Sequence, residues 1–477
     1  MIKPPFLPGA NSAAWVAVET LGAAIFALVG LLFIARLIGP HAAGVGAIAA
    51  SAFLTIDFPI AALFGDALLQ RRDLEEKHRS SALWATLGAA LLGTGLLALA
   101  APWIALAIGV PMLTDMIRML ALLLPASAVA GLLAALALRG RRYRLLSLRV
   151  LICQPLSVGV GVMAALADWG AWAMVAQQAT ATLSVFLLLA ALSGWRPRWL
   201  LDRAALGDLW PVAGPQILAL LVFNGRYRIF ILVLGSMVAE TIVAVTHIAF
   251  RLLDVATAVV TGAASRLAMP RLSALQHDRP ALAAAYGDLA QLQALIGLPV
   301  AAGLAITAPQ LVELLMGGPW AAAAEPARVV ALAAIPAFLI GPASALWLAL
   351  GRTRINLLVQ VVAFTVPLLA LLVVQPKDPA GAALCWALGS LAVPPVQLVM
   401  ALQALGQSAR WMAVRLVAPM LGTAVMAVVA LFVARQVTQM PPILALSIIA
   451  GSGAAAYLMT LAVVLGGRMP AALRQAA

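Results

Sequence analysis

Three arginines stand where a charge is costly. Arg226 and Arg228 interrupt the apolar run FNGRYRIFILVLG (Phe223 to Gly235), and Arg251 sits in TIVAVTHIAFRLLDVATAVV between His247 and Asp254. An arginine at the centre of a membrane helix costs about 3 kcal/mol on insertion scales, and it persists where it faces water or a partner acid. Helix geometry turns residues two apart by about 200°, so Arg226 and Arg228 cannot face the same way. One is expected to face a wet cavity, while the other pairs with an acid or reaches toward the outer surface. Asn224 lies one turn from Arg228 and shares its face. His247, Arg251 and Asp254, spaced i, i+4 and i+7, form one polar stripe on an apolar helix. Guanidinium forks match phosphate oxygens. Arg226, Arg228, Arg251, His247 and Asn224 are therefore the candidates for a cationic cavity that would take a diphosphate or an acidic sugar. The competing expectation is an Arg251 to Asp254 ion pair that holds helices together, with His247 hydrogen-bonded.

Glu19, Asp57 and Asp254 are the acids inside apolar segments. They are the ion-coupling candidates, for a proton or sodium, and each can equally serve as counter-ion to a cavity arginine. Asp66 and Glu313 fall near segment ends, where solvent reaches them. Four scattered histidines show no metal spacing, and there is no Gly-rich phosphate loop of Walker type. Cys153 and Cys385 lie inside apolar runs and read as small buried hydrophobes. No catalytic residue, metal or cofactor is expected, and no ATP hydrolysis.

These residues must be positioned by membrane helices. The chain of 477 residues is 64% hydrophobic and 10% charged, with a mean hydropathy of +1.06, against roughly 25% charged residues in a soluble domain. Its net charge of +13 falls in short gaps between apolar runs, not in a continuous patch, so a nucleic-acid partner is not expected. The first apolar run is longer than a signal-peptide core and reads as a retained span. Windows of about 20 apolar residues give an all-α integral membrane protein with fourteen spans. They lie near 15–37, 42–66, 81–108, 116–138, 148–167, 170–193, 209–234, 239–265, 289–316, 326–349, 355–375, 380–404, 412–435 and 442–466.

Lys and Arg mark the cytoplasmic side of a membrane protein. With the N-terminus inside, 22 of the 30 fall in cytoplasmic loops or tails, from Lys3 through the groups 71–79, 139–149, 196–203, 266–279, 352–354 and 410–415 to Arg468 and Arg474. The opposite loops hold Arg36, Arg118, Arg328, Lys377 and Arg435. Both termini are expected in the cytoplasm. The runs RRDLEEKHR and RGRRYR are the densest in charge, and such runs contact anionic lipid headgroups or draw an anionic headgroup to a gate.

An internal repeat is also legible. LLPASAVAGLLAALALRGRRYRLL (123–146) matches AAIPAFLIGPASALWLALGRTRINL (333–357), pairing Pro125 with Pro336, Gly140 with Gly351 and Arg141 with Arg352. APWIALAIGVP (101–111) matches APQLVELLMGGP (308–319) with one insertion. A repeat over six spans implies two six-helix lobes related by a pseudo-twofold axis along the membrane normal, with substrate bound between them. The lobes are expected at 1–200 and 201–406, with two added helices in 407–477. Prolines within spans, such as Pro59, Pro125, Pro155, Pro211, Pro215, Pro336, Pro342 and Pro367, are expected to kink them.

ARLIGPHAAG (35–44), ALLQRRDLEEKHRSSALW (67–84) and GAWAMVAQQATATLSVFLLLAALSGWRPRW (170–199) resemble the bacterial polysaccharide exporters. These are lipid-linked oligosaccharide flippases of the multidrug/oligosaccharidyl-lipid/polysaccharide exporter superfamily. The second half is similar more loosely, through LGSMVAETIVAVTHIAFRLLD (234–254). The resemblance implies a V-shaped pair of six-helix lobes. It also implies transfer of undecaprenyl-diphosphate-linked oligosaccharide from the cytoplasmic to the periplasmic leaflet of the bacterial inner membrane. A separate polymerase and glycosyltransferases are the partners such a flippase would work beside. Many relatives carry an acid in helix 7 about where Arg226 stands, so cation binding by this helix is not expected here.

A lipid II or multidrug transporter of the same fold is the nearest alternative. A drug-cation antiporter would want acids in its cavity, and lipid II flippases place arginines in helix 1, where this chain has Glu19. A membrane glycan polymerase or ligase would need a long outer loop bearing catalytic residues, whereas the outer loops here are short.

Overall fold

Every apolar run becomes helix, and a computed structural model describes residues 10–466, apart from some side chains inside helices, with no strand among them. Lys3, Arg468, Arg474 and both termini lie outside the described residues. The chain packs as two compact units, divided between Ala244 and Val245. The first holds α1 (Ala10–Ala61), α2 (Gly65–Gln70), α3 (Glu76–Ile108), α4 (Leu113–Ala121), α5 (Leu124–Arg139), α6 (Tyr143–Leu166), α7 (Trp172–Leu192) and α8 (Arg203–Gly235). α9 (Glu240–Ala274) begins in the first unit and continues into the second. The second unit then holds α10 (Arg279–Met316), α11 (Ala324–Leu339), α12 (Ala343–Ala349), α13 (Thr353–Val374), α14 (Pro379–Leu405), α15 (Ala409–Gln436) and α16 (Pro442–Val464).

Twelve helical runs among the described residues are long and apolar enough to cross a membrane. The fourteen expected spans all have helical counterparts, with three refinements. Spans one and two form a single run, α1, broken only where Gly39 adopts φ 78, ψ 169 ahead of Pro40, which has no N–H to continue the ladder. Span four is α4 followed by α5, and span ten is α11 followed by α12. The eighth span is the first part of α9. Helix ends are set by polar residues at the loops: Asp202, Asp278, Asp378 and Ser408 accept backbone N–H groups at the starts of α8, α10, α14 and α15.

The break between α11 and α12 shows how a proline-rich span stays buried. Gly341 takes φ 71 and is followed by Pro342, so the last carbonyls of α11 lose their helical donors. α10 supplies replacements: the Tyr286 hydroxyl donates to the Ile340 carbonyl, and Gln293 Nε2 to the Ala337 carbonyl at 3.0 Å. Both side chains are buried, and without these acceptors each would be an unsatisfied polar group in an apolar layer.

The repeat recurs in local geometry, with its register moved by one residue. α6 and α13 start from near-identical caps, Arg142 (φ −81, ψ 51) and Arg352 (φ −88, ψ 54). Each follows a left-handed residue, Arg141 at φ 53 in one unit and Gly351 at φ 69 in the other. Arg142 therefore corresponds to Arg352 and Arg141 to Gly351, where the sequence matches had paired the two glycines. α3 and α10 each end at a glycine with φ 83, Gly109 and Gly317.

In the first unit α8 runs antiparallel along the second half of α1, and glycines allow the closest approaches. A Cβ on Gly131 of α5 would lie 2.1 Å from the Ala61 carbonyl oxygen, and one on Gly44 of α1 would lie 1.9 Å from that of Glu240, whereas Gly88 of α3 faces open space. Gly131→Ala and Gly44→Ala should each cost about 1–3 kcal/mol through forced backbone separation. Gly88→Ala should be neutral or stabilise by up to about 1 kcal/mol. Thermal unfolding midpoints of the purified variants in detergent check this; three equal midpoints would mean these helices do not touch.

Candidate functional site

α8 carries Asn224, Arg226 and Arg228 past the second half of α1. The register is fixed on either side of them: Gln216 Nε2 donates to Asp66 Oδ2 at 2.7 Å, and Gly235 packs against Ile48. Between those points the Arg228 guanidinium lies 4.7 Å from the centre of the Phe58 ring. Asp57, next in sequence and 9% exposed, accepts a hydrogen bond from Ser127 of α5 and feels the charge of Arg228. Its Oδ1 atom is buried with no hydrogen-bond partner among the described residues. Arg228 thus lies close enough to Asp57 for their charges to interact. Arg226 is turned about 200° away from it around α8, and Asn224, four residues earlier, shares the Arg228 face.

The stripe on α9 is arranged differently. His247 is buried at 8% exposure. Arg251 Nη1 lies 3.7 Å from Asp254 Oδ2, one turn apart, with side chains 39% and 59% exposed. A contact of that length between exposed groups is a loose ion pair. An exposed carboxylate midway along a membrane helix cannot rest against acyl chains, so this part of α9 must meet water or polar groups. On the flank of the stripe Phe250 packs on Trp386 of α14, ring centres 5.0 Å apart, which holds α9 to the second unit.

The third acid, Glu19, is ion-paired: Arg149 Nη2 donates to its Oε1 at 2.8 Å, joining α1 to α6. Arg149, grouped with the loop arginines on sequence, belongs to the second turn of α6. Asp66, expected merely to be solvated, holds Gln216. Neither partner is discernible from sequence, since 130 and 150 residues separate the pairs.

The arginine-rich loops of the first unit gather at one end. Arg71 Nη2 donates to Asp208 Oδ2 at 2.8 Å. His78, wholly buried, accepts the Glu75 N–H at Nδ1 and places Nε2 3.3 Å from the same Asp208 oxygen. Trp84 donates to the Arg198 carbonyl at 2.7 Å and stacks on Trp199 at 4.1 Å. The loop RRDLEEKHR is thereby tied to the start of α8. Among the described residues no group of three or more His, Cys, Asp or Glu is placed to hold a metal ion, and Cys153 and Cys385 are buried free thiols.

The Asp57 to Arg228 contact has a measurable signature. Removing one charge leaves the other uncompensated in a low-dielectric layer. Asp57→Ala and Arg228→Met should each destabilise the protein, and the double variant should recover about 1–3 kcal/mol relative to the sum of the singles. A double-mutant cycle on unfolding midpoints reads this coupling; strict additivity would show that the two charges do not interact.

With this geometry in hand, comparison with known proteins is informative. The profile of the family described as polysaccharide biosynthesis protein matches residues 33–325. The teichuronic acid biosynthesis protein TuaB of Bacillus subtilis (strain 168) is 22% identical over 291 residues, 61% of this chain and 60% of that protein. The succinoglycan biosynthesis transport protein ExoT of Rhizobium meliloti (strain 1021) is 25% identical over 322 residues, 64% of this chain and 62% of that protein. The chain thus spans about 60% of the length of these relatives. In fold, it superposes on the lipid II flippase MurJ in an inward closed conformation with a TM-score of 0.74 and 12% identity, covering 94% of this chain and 98% of that one. An inward-facing multidrug resistance MATE family transporter of the MOP superfamily gives 0.63 at 16% identity, covering 83% and 99%. With more than half its length matched by the family profile and a membrane fold shared with these two structures, the chain belongs to the polysaccharide biosynthesis protein family.

Proposed function

We propose that this protein is a flippase that moves undecaprenyl-diphosphate-linked oligosaccharide repeat units from the cytoplasmic to the periplasmic leaflet for exopolysaccharide, capsule or lipopolysaccharide synthesis. The observation that carries the reading is the exposed Arg251 and Asp254 stripe midway along an apolar helix of a polysaccharide biosynthesis family member. A diphosphate cannot cross hydrocarbon unaided, because taking a charge out of water is prohibitively costly unless another charge meets it. Guanidinium groups compensate it with paired hydrogen bonds. In this mechanism Arg251 and Arg226 meet the diphosphate or an acidic sugar, with His247 and Asn224 as hydrogen-bonding neighbours, while Arg228 is shared between Asp57 and the path. The names of ExoT, a transport protein, and of MurJ, a flippase, support translocation over a covalent step.

Alternating access then follows from the repeat, the lobes 1–200 and 201–406 rocking about a fixed site with 407–477 appended. Asp57, Asp254 and Glu19 are the coupling candidates. Asp57 is the best placed, because a proton or sodium ion on it would release Arg228 to the substrate. The arginine-rich loops and both termini face the cytoplasm at the inner membrane, and the polymerase and glycosyltransferases of the same glycan route are the working partners.

A strain lacking the gene, complemented with wild type or with Arg226→Ala, Arg228→Ala or Arg251→Ala at matched protein levels, tests this reading. The expected outcome is that the deletion traps intact lipid-linked repeat units on the cytoplasmic leaflet, and that Arg251→Ala lowers surface polymer at least tenfold. Single repeat units exposed on the outer leaflet would instead mean that polymerisation has failed, and would replace the flippase reading with an enzymatic one.

A further inference from the structure

The arginine-rich end of the first unit encloses a cavity of about 340 Å³ among α3, α5, α6 and α7. Three arginines line it, Arg79, Arg139 and Arg142, against apolar walls that include Leu136, Leu189 and Trp195. Two of the three are committed to the protein itself. Arg139 donates to the carbonyls of Leu68 and Leu69 in the last turn of α2 and of Arg71 and Arg72 just beyond it. Arg142 donates to those of Leu192 and Ser193 at 2.7 Å each, closing α7. Both guanidinium groups therefore answer the partial negative charge of a helix C-terminus. Arg79 does not: its Nε is buried and has no hydrogen-bond partner among the described residues. The acid one turn earlier, Glu76, is already taken by the Trp195 indole at 2.9 Å and the Ser80 hydroxyl at 3.0 Å, and it does not line the cavity.

The second unit has a smaller counterpart at the corresponding loop. A cavity of about 180 Å³ is lined by Arg279, Arg352, Trp347 and Gln403. Arg352 caps α13 as Arg142 caps α6, and the buried Trp347 Nε1 likewise has no partner among the described residues. In both units, then, the same turn faces a basic cavity with a buried donor that has no partner among the described residues and with no acid among its lining residues.

We propose that the Arg79 cavity binds the phosphate of an anionic phospholipid headgroup, the arginine meeting the phosphate and the leucine and tryptophan walls meeting the glycerol and the start of the acyl chains. A buried, unsatisfied guanidinium nitrogen is costly unless an anion supplies the acceptor. Basic pockets between membrane helices take lipid headgroups in this way. The cavity holds roughly ten water volumes, room for a glycerophosphate head. None of its lining residues belongs to α8 or α9, and its occupancy does not depend on whether the protein flips a lipid-linked sugar.

The test is ligand binding by native mass spectrometry of the full chain in detergent. The probes are phosphatidylglycerol, the neutral phosphatidylcholine and inorganic pyrophosphate. Wild type is compared with Arg79→Gln, with Leu136→Trp, which fills the cavity without changing charge, and with Arg410→Gln, which removes an exposed charge elsewhere. The expected result is that Arg79→Gln and Leu136→Trp each weaken phosphatidylglycerol binding about tenfold. Phosphatidylcholine binding and the Arg410→Gln variant should stay within twofold of wild type. Because Arg79 Nε has no protein partner, Arg79→Gln should be at least as stable as wild type in lipid-free detergent. Pyrophosphate binding that depends on Arg79, without such dependence for the lipid, would overturn the lipid assignment and give the site to a soluble phosphate ligand. Unchanged binding of both anionic probes in Arg79→Gln and Leu136→Trp would overturn the proposal.

Discussion

A charge inside a bilayer must meet another charge or water, and the interior of this protein is arranged around that constraint. Glu19 meets Arg149 at 2.8 Å, and Asp57 lies beside Arg228 and Ser127. The carbonyls freed at the α11 to α12 break meet Tyr286 and Gln293. Each compensation joins different helices, so the polar groups fix the register of helices whose apolar faces, being much alike, would specify it poorly. Arg251 and Asp254 depart from the pattern, since they hold each other loosely and are well exposed.

The contacts of α8 with α1, α2 and the start of α3 show the same logic along a whole helix. Asp208 with Arg71 and His78, Gln216 with Asp66, Arg228 with Phe58 and Asp57, and Gly235 with Ile48 follow one another in antiparallel order. Most of these contacts are polar, and Gly235 against Ile48 is the close apolar one. A helix held in this way can be released more easily than one held by continuous leucine packing, as in the core where α10 packs against α11, α12 and α14.

At the loops, arginine serves as a structural residue before it serves any ligand. Arg139 and Arg142 spend their donors on helix C-termini, where carbonyls lack partners. A positive loop charge is thus partly accounted for by helix capping. Arg79 stands out because its Nε has no partner among the described residues.

The amino-acid sequence by itself determined that the chain is helical, where the spans lie and which charges are misplaced in an apolar layer, because hydrophobic length and charge are local properties. It also revealed the duplication, through prolines and loop arginines that keep their order. The one-residue change of register at Arg142 and Arg352 was hidden, because backbone φ at Arg141 and Gly351, not residue identity, defines the correspondence. Only the tertiary structure decided that Arg228 comes near Asp57, that Glu19 is neutralised by Arg149, and that Asp66 holds α8. The Glu19 and Asp66 pairs are 130 and 150 residues apart. Nothing in a helical segment records which face another helix will cover; that is settled when the helices pack and each buried charge finds the nearest group able to compensate it.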